Sequence, residues 1–282
     1  MSQIFQRVLL ATERTEFDAG AERLALTMAQ RVGRPLRVVM PLASNAEYEA
    51  EAPQLAERSE RDAASRLARL RDQARSAGVE IDLRVRRGAE AHQEIVDEAR
   101  QRDSDLIVIR RRGRRSFVAQ LLVGEMVGKV LAHAPCSVLV VPRDAAMWSR
   151  RVLVAAEPGE QGRRLVAMAT AIATEGALPL TVVCVAGKAA EWPLAEAFVA
   201  EALRLAAQAG VPADGEALAG APPAQILDAA KRHAADLIVM GVRSSGRIAR
   251  ALLGGVAQQV IGRSDCAVLL AHPANPNKDV SS

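Results

Sequence analysis

The run "DLIVMGVRSSG" (Asp236–Gly246) joins an apolar segment to a loop suited to holding a phosphate. Gly241 opens that loop, Arg243 and Ser244 follow, and "LLGGV" (Leu252–Val256) places Gly254 and Gly255 shortly after it. Glycines let a backbone come close to phosphate oxygens, and the N–H groups that open a helix face an anion. The run "DLIVIRRRGRRS" (Asp105–Ser116) begins almost identically, but its loop carries Arg110, Arg111, Arg112, Arg114 and Arg115 around Gly113. Guanidinium groups match phosphate well. Loops between elements also lie on the surface and carry charge. The arginine loop therefore reads as a worn phosphate loop, a stronger anion site, or a solvated corner.

Other chemistry is sparse. Glu13 and Glu157 close similar segments, "RVLLATE" and "RVLVAAE", but as single carboxylates far apart in the chain they form no acid/base pair. His92, His133, His233 and His272 show no metal-ligand spacing. His133, before "APC", suits a helix C-terminus, where it meets carbonyl ends. Cys136 and Cys266 recur before similar apolar runs, which favours small core residues, while Cys184 ends an apolar run and leaves a redox role open. There is no nucleophile elbow, no Ser/His/Asp set and no hydride-transfer fingerprint. Three cysteines exclude a disulfide framework, and no apolar stretch reaches membrane-spanning length. The expectation is a reduced, cytoplasmic protein. With 37 basic and 33 acidic residues, the net charge of +4 does not suggest a nucleic-acid binder.

These residues are positioned by a sequence written twice. "RPLRVVM" (Arg34–Met40) recurs as "LPLTVVC" (Leu178–Cys184), and "EIVDEARQRDSDLIVI" (Glu94–Ile109) as "QILDAAKRHAADLIVM" (Gln225–Met240). "LLVGEMVGKVLAHAPCSVLVV" (Leu121–Val141) recurs as "LLGGVAQQVIGRSDCAVLLA" (Leu252–Ala271). The offset is 144 between Glu13 and Glu157 and 132 between Gly78 and Gly210, so the second copy is 12 residues shorter around its second helix. Val/Ile/Leu runs near 6–12, 36–41, 80–85, 105–110 and 137–141 predict strands covered on both faces. Leu24, Met28 and Val32, then Leu67, Leu70 and Ala74, form helical stripes, and Gly78 and Gly210 fit helix C-caps. The aromatic fraction is only 2%, so Ala, Val, Leu and Ile must build the core. Each copy reads as a β/α domain, at 1–143 and 149–273, joined by Pro142–Arg150.

In this order, and twice, the pieces "RVLLATE"/"RVLVAAE", "DLIVMG" with its loop, and the closing "LLxG…C-x-VLxx" resemble the universal stress protein family in tandem form. The resemblance covers essentially the whole chain. It implies Rossmann-like α/β domains, each a five-stranded parallel sheet in the order 3-2-1-4-5 flanked by helices. Nucleotide-binding members hold ATP or a related adenine nucleotide, with Mg possible, at a Gly-x-x-Gly, nine residues, Gly-Ser/Thr loop, and an Asp ending the first strand contacts the adenosine. Other members lack the loop and bind none.

Both copies depart from that pattern. In the first, Arg110 stands for the opening Gly, ten residues separate Gly113 from Gly124, and Glu125 takes the Ser/Thr place. A carboxylate there would point toward phosphate oxygens, so the first site is expected not to bind. In the second, Gly241 fits, Ser244 replaces the second Gly, nine residues lead to Gly254, and Gly255 replaces Ser/Thr. Ala156, Glu157, Gly241, Arg243, Ser244, Gly254, Gly255 and Val256 are the expected nucleotide-site residues, with Glu157 in the Asp place. The plainer alternative is that Gly254 and Gly255 only let a helix pack closely. The implied role is regulatory rather than enzymatic, acting through an unidentified protein partner. The two copies are expected to pair through their last strands as a pseudo-dimer, with dimers of whole chains possible. A weak ATPase or phosphotransfer enzyme, or anion and nucleic-acid binding through Arg110–Arg115, are the alternatives.

Overall fold

The computed structural model describes residues 4–13, 15–43, 53–111, 124–242 and 254–272. They form two compact units, one built mainly on the chain before Trp148 and one on the chain from there onward. In the first unit the parallel strands are β1 (Val8–Ala11), β2 (Leu36–Ala43), β3 (Ile81–Gly88), β4 (Leu106–Arg110) and β5 (Ser137–Val141), ordered β3-β2-β1-β4-β5. The helices are α1 (Ala19–Val32), α2 (Pro53–Ser76), α3 (Ala91–Gln101) and α4 (Glu125–His133), and a single 3-10 turn, Glu16–Asp18, leads into α1. The second unit repeats this with β6 (Val152–Ala155), β7 (Leu180–Ala186), β8 (Ala213–Ala219), β9 (Leu237–Gly241) and β10 (Ala267–Ala271), ordered β10-β9-β6-β7-β8. Its helices are α5 (Glu160–Gly176), α6 (Trp192–Gln208), α7 (Pro222–Arg232) and α8 (Gly255–Arg263). This is the α/β class that the sequence predicts and the 3-2-1-4-5 order that the family resemblance implies.

The central strands are apolar because helices cover both faces. β1 is buried along its length and pairs Leu9 with Arg37 of β2 and with Ile107 of β4. In the second unit Leu153 of β6 faces Thr181 of β7 and Ile238 of β9. The helical stripes are met as expected: Leu24, Met28 and Val32 of α1, and Leu67, Leu70 and Ala74 of α2, are all buried. Gly78 and Gly210 end their helices at φ of +67° and +72°, where a Cβ would be strained.

The repeated "DLIV" begins with a residue whose role is structural. Asp105 accepts from the backbone N–H groups of Gln6 and Arg7 at 2.9 and 3.0 Å. Asp236 accepts from those of Ser149, Arg150 and Arg151 at 2.8, 2.9 and 3.1 Å. Each aspartate thus fastens the start of the first strand of its unit to the strand beside it. Within each unit the first strand ends beside the end of the fourth, Ala11 opposite Ile109 and Ala155 opposite Met240, where the candidate site of that unit lies.

Candidate functional site

In the second unit the carboxyl ends of β6, β7 and β9 and the start of α8 surround a cleft of about 180 Å³. Ala155, Val183, Val185, Ile226 and Met240 give it apolar walls. Ala156 and Glu157 follow β6, Gly241 ends β9, and Gly254, Val256 and Ala257 come from the opening of α8. Five of the eight expected site residues therefore line one cleft: Ala156, Glu157, Gly241, Gly254 and Val256. Gly255 is the first residue of α8, beside them. Arg243 and Ser244 lie outside the described residues.

Two properties suit this cleft to an anionic ligand with an apolar body. Gly254 caps α8 without a side-chain hydrogen bond, and the first turn has no acidic residue. Its opening N–H groups and the positive end of the helix dipole meet no competing carboxylate from that turn. At the other side, Glu157 is the only titratable side chain among the described lining residues. A carboxylate accepts from paired hydroxyls or from an N–H group.

The sequence did not single out Gly162, Gln161, Pro222 or Ile226, all of which line the cleft. A Cβ on Gly162 would lie 1.9 Å from the carbonyl oxygen of Glu157 and 2.9 Å from the Phe198 ring. That glycine lets α5 pack closely against the segment carrying Glu157. Cys184, one strand over, is 1% exposed, and burial followed by the nearby Glu157 charge pushes its thiol up to about 11. A thiol held so far from ionisation is a poor nucleophile, which removes the support for a redox role. Cys136 is buried and Cys266 half-buried, the latter with its thiol also raised by burial, consistent with packing residues.

The equivalent place in the first unit is closed. Ala11, Thr12, Glu13, Asp18, Pro41, Ile95, Ile109, Arg110 and Met126 surround it and leave a free volume of about 0 Å³. The Arg110 side chain turns into it. Its Nη2 lies 2.5 Å from Glu13 Oε2, and its Nε lies 3.3 Å from Asp18 Oδ1. Thr12 Oγ1 donates to Glu22 Oε1 at 2.8 Å in the same buried corner. Arg110, the first member of the arginine loop in the sequence, thus turns inward onto Glu13 and Asp18 rather than out to solvent. Arg111 is half-buried, and Arg112, Gly113, Arg114 and Arg115 lie outside the described residues. Glu125 also departs from expectation. It opens α4, is largely exposed and pairs with Lys129 at 2.9 Å, and that lysine holds its carboxyl below the usual range. An i,i+4 partner on the same helix draws the carboxylate along the helix surface.

Of the histidines, His133 is at the end of α4 with Nδ1 2.8 Å from the Lys129 carbonyl oxygen, the helix-end position that the sequence suggested. His92 is buried beside Glu90 at 3.2 Å. Among the described residues no group of three His, Cys, Asp or Glu is arranged to hold a metal. No described helix is long and apolar enough to cross a membrane.

The profile of the universal stress protein family matches residues 4–142 and again 149–272. The chain belongs to this family. Its fold is similar to that of a universal stress protein of known structure from Archaeoglobus fulgidus. That protein superposes with a TM-score of 0.74 at 19% identity, over 95% of this chain and 97% of that one. At that identity the likeness concerns the fold. A universal stress protein of Synechocystis is 26% identical over 167 residues, 59% of this chain and 58% of its own length. Another from Thermus aquaticus is 44% identical over 77 residues, 27% of this chain and 54% of its own. The chain thus spans little more than half the length of these two curated relatives. This universal stress protein thus has a cleft open at the carboxyl ends of the second domain's strands, and a place in the first domain that its own side chains fill.

Proposed function

We propose that this protein binds ATP or a related adenine nucleotide in its second domain only, and that it regulates a protein partner through that state rather than by catalysis. One observation carries the reading. The second domain leaves a cleft open between a carboxylate and an uncapped helix N-terminus, at the place where the first is filled by Arg110. The apolar walls suit a base, Glu157 suits ribose hydroxyls, and the backbone at Gly241, Gly254 and Gly255 suits phosphates, with Arg243 and Ser244 completing the loop. Mg would accompany the phosphates.

Within the same proposal, the protein acts in the cytoplasm, its domains span 1–143 and 149–273, and the two copies pair through β5 and β10. Each of these strands is the apolar edge of its own five-stranded order, which favours pairing. Sedimentation velocity on the whole chain measures whether chains pair further.

The test begins with nucleotide content. Protein purified without added ligand is denatured and the released small molecules are identified by mass spectrometry. ATP, ADP and AMP are then titrated calorimetrically into the wild type and Gly254→Glu. The expected result is about one adenine nucleotide per chain, lost in the variant. No heat at millimolar ATP would overturn nucleotide binding. Steady ADP release abolished by Gly254→Glu would overturn the regulatory reading in favour of an enzyme.

A further inference from the structure

The filled place in the first domain holds a cluster of one cation and two carboxylates. Arg110 ends β4, and its side chain is only 15% exposed. Glu13 reaches it from the end of β1, and Asp18 from the 3-10 turn before α1. Asp18 is fully buried. Its Oδ2 accepts from the Thr15 backbone N–H and hydroxyl, both at 2.7 Å. Its Oδ1 has no hydrogen-bond partner and faces the guanidinium at 3.3 Å. A buried carboxylate without a counter-charge is strongly disfavoured, so the cation beside it is an integral part of this corner. Two carboxylates arriving from different segments meet different nitrogens of one planar fork, Nη2 and Nε. A lysine ammonium, a single point of charge, does not reproduce that spacing.

The second domain shows that the parts belong together. At the position of Asp18 it has Gly162, and at that of Arg110 it has Gly241, while Glu157 keeps the place of Glu13. The buried acid and the guanidinium are present together in one copy and absent together in the other. We infer that Glu13 and Asp18 form a guanidinium-binding site that the chain fills with its own Arg110, a tethered ligand occupying the place that the second domain leaves open. The first domain is thereby closed to any other occupant by a side chain of β4, whatever the arginine loop beyond it does. Once Arg110 is truncated, the site takes an alkylguanidinium from solution. This inference does not depend on what the second cleft binds.

The experiment is chemical rescue in the full chain. Arg110→Ala removes the fork and leaves Asp18 buried, which should lower the melting temperature by roughly 10 °C. N-ethylguanidinium chloride at millimolar concentration should recover at least half of that loss. Ethylammonium chloride at the same ionic strength should recover much less, and the wild type should respond to neither. Equal effects of ethylguanidinium on the variant and the wild type, or an effect no larger than that of ethylammonium, would overturn the inference. If Arg110→Ala does not fold, the comparison passes to Arg110→Met with and without Asp18→Asn. Neutralising Asp18 should then raise the melting temperature of the Arg110→Met protein although it lowers that of the wild type. The same sign in both backgrounds would sink the tethered-ligand reading.

Discussion

The two clefts of this protein stand on the same scaffold and differ in what occupies them. Thr12, Glu13, Asp18 and Arg110 line the first, and Ala156, Glu157, Gly162 and Gly241 take the corresponding places in the second. Three of these four pairs exchange a polar or charged side chain for a small one. The result is a change from about 0 Å³ to about 180 Å³ of free space. An open cleft in this fold therefore depends on the absence of a side chain long enough to fold back from the end of the fourth strand.

The comparison can be broken from the second domain. The largest expected effect is on Gly162→Ala. The new methyl would lie 1.9 Å from the Glu157 carbonyl oxygen, which backbone can relieve only by moving. Urea unfolding should show a loss of about 3 kcal/mol, and the unchanged behaviour of the first domain would locate the damage. Next comes Gly241→Arg, which transplants the plug. No described atom lies within 4 Å of a Cβ built on Gly241, so the described residues leave room for the added side chain. With Glu157 as its partner it should fill the cleft and weaken calorimetric nucleotide binding at least 100-fold, or about 2.7 kcal/mol. Retained affinity would show that the cleft is not where the nucleotide sits.

The clamps sharpen the comparison with smaller effects. Asp236→Ala removes the acceptor for three backbone N–H groups, and Asp105→Ala for two. Charge-assisted bonds of this kind support losses of about 2 kcal/mol, with Asp236 the larger. Equal or reversed losses in chemical denaturation would mean that the clamp is not what sets them. The smallest effect concerns Cys184, which stands where the first domain has Met40. Its folded thiol titrates at about 11, above an ordinary value of 9.0. The thiol form favours the folded state, so this stabilisation is complete below pH 9 and is lost as pH rises toward 11. Urea midpoints of wild type and Cys184→Ala, measured from pH 8 to pH 10.5, should converge in stability across that window and stay parallel below it.

How much was legible in the sequence follows the same division. The repeat, the strand runs and the helical stripes are periodic signals, and β5, predicted at 137–141, begins and ends there. Gly241, Gly254 and Val256 were picked out by the fixed spacing of the family's loop, and all three line the cleft. Asp18 was missed because its place in the first copy is held by Gly162 in the second, and a charge opposite a glycine carries no motif. The offset of 144 that aligns Glu13 with Glu157 also aligns these two residues and was the one signal available. Arg110 was assigned to its neighbours in the chain, Arg111 to Arg115, since adjacency is all that a sequence shows.

By itself the sequence determined a chain written twice, with the strands and helices of two α/β domains, and the resemblance it carries supplied the family and the strand order. Burial periodicity is local, a property of residues a few places apart, and a repeat makes it visible twice. Only the tertiary structure decided what fills the first site. A guanidinium at the end of one strand chooses between water and two carboxylates brought in from 92 and 97 positions away in the chain (Asp18 and Glu13). Burying Asp18 makes that choice, because a carboxylate withdrawn from water must keep a cation beside it.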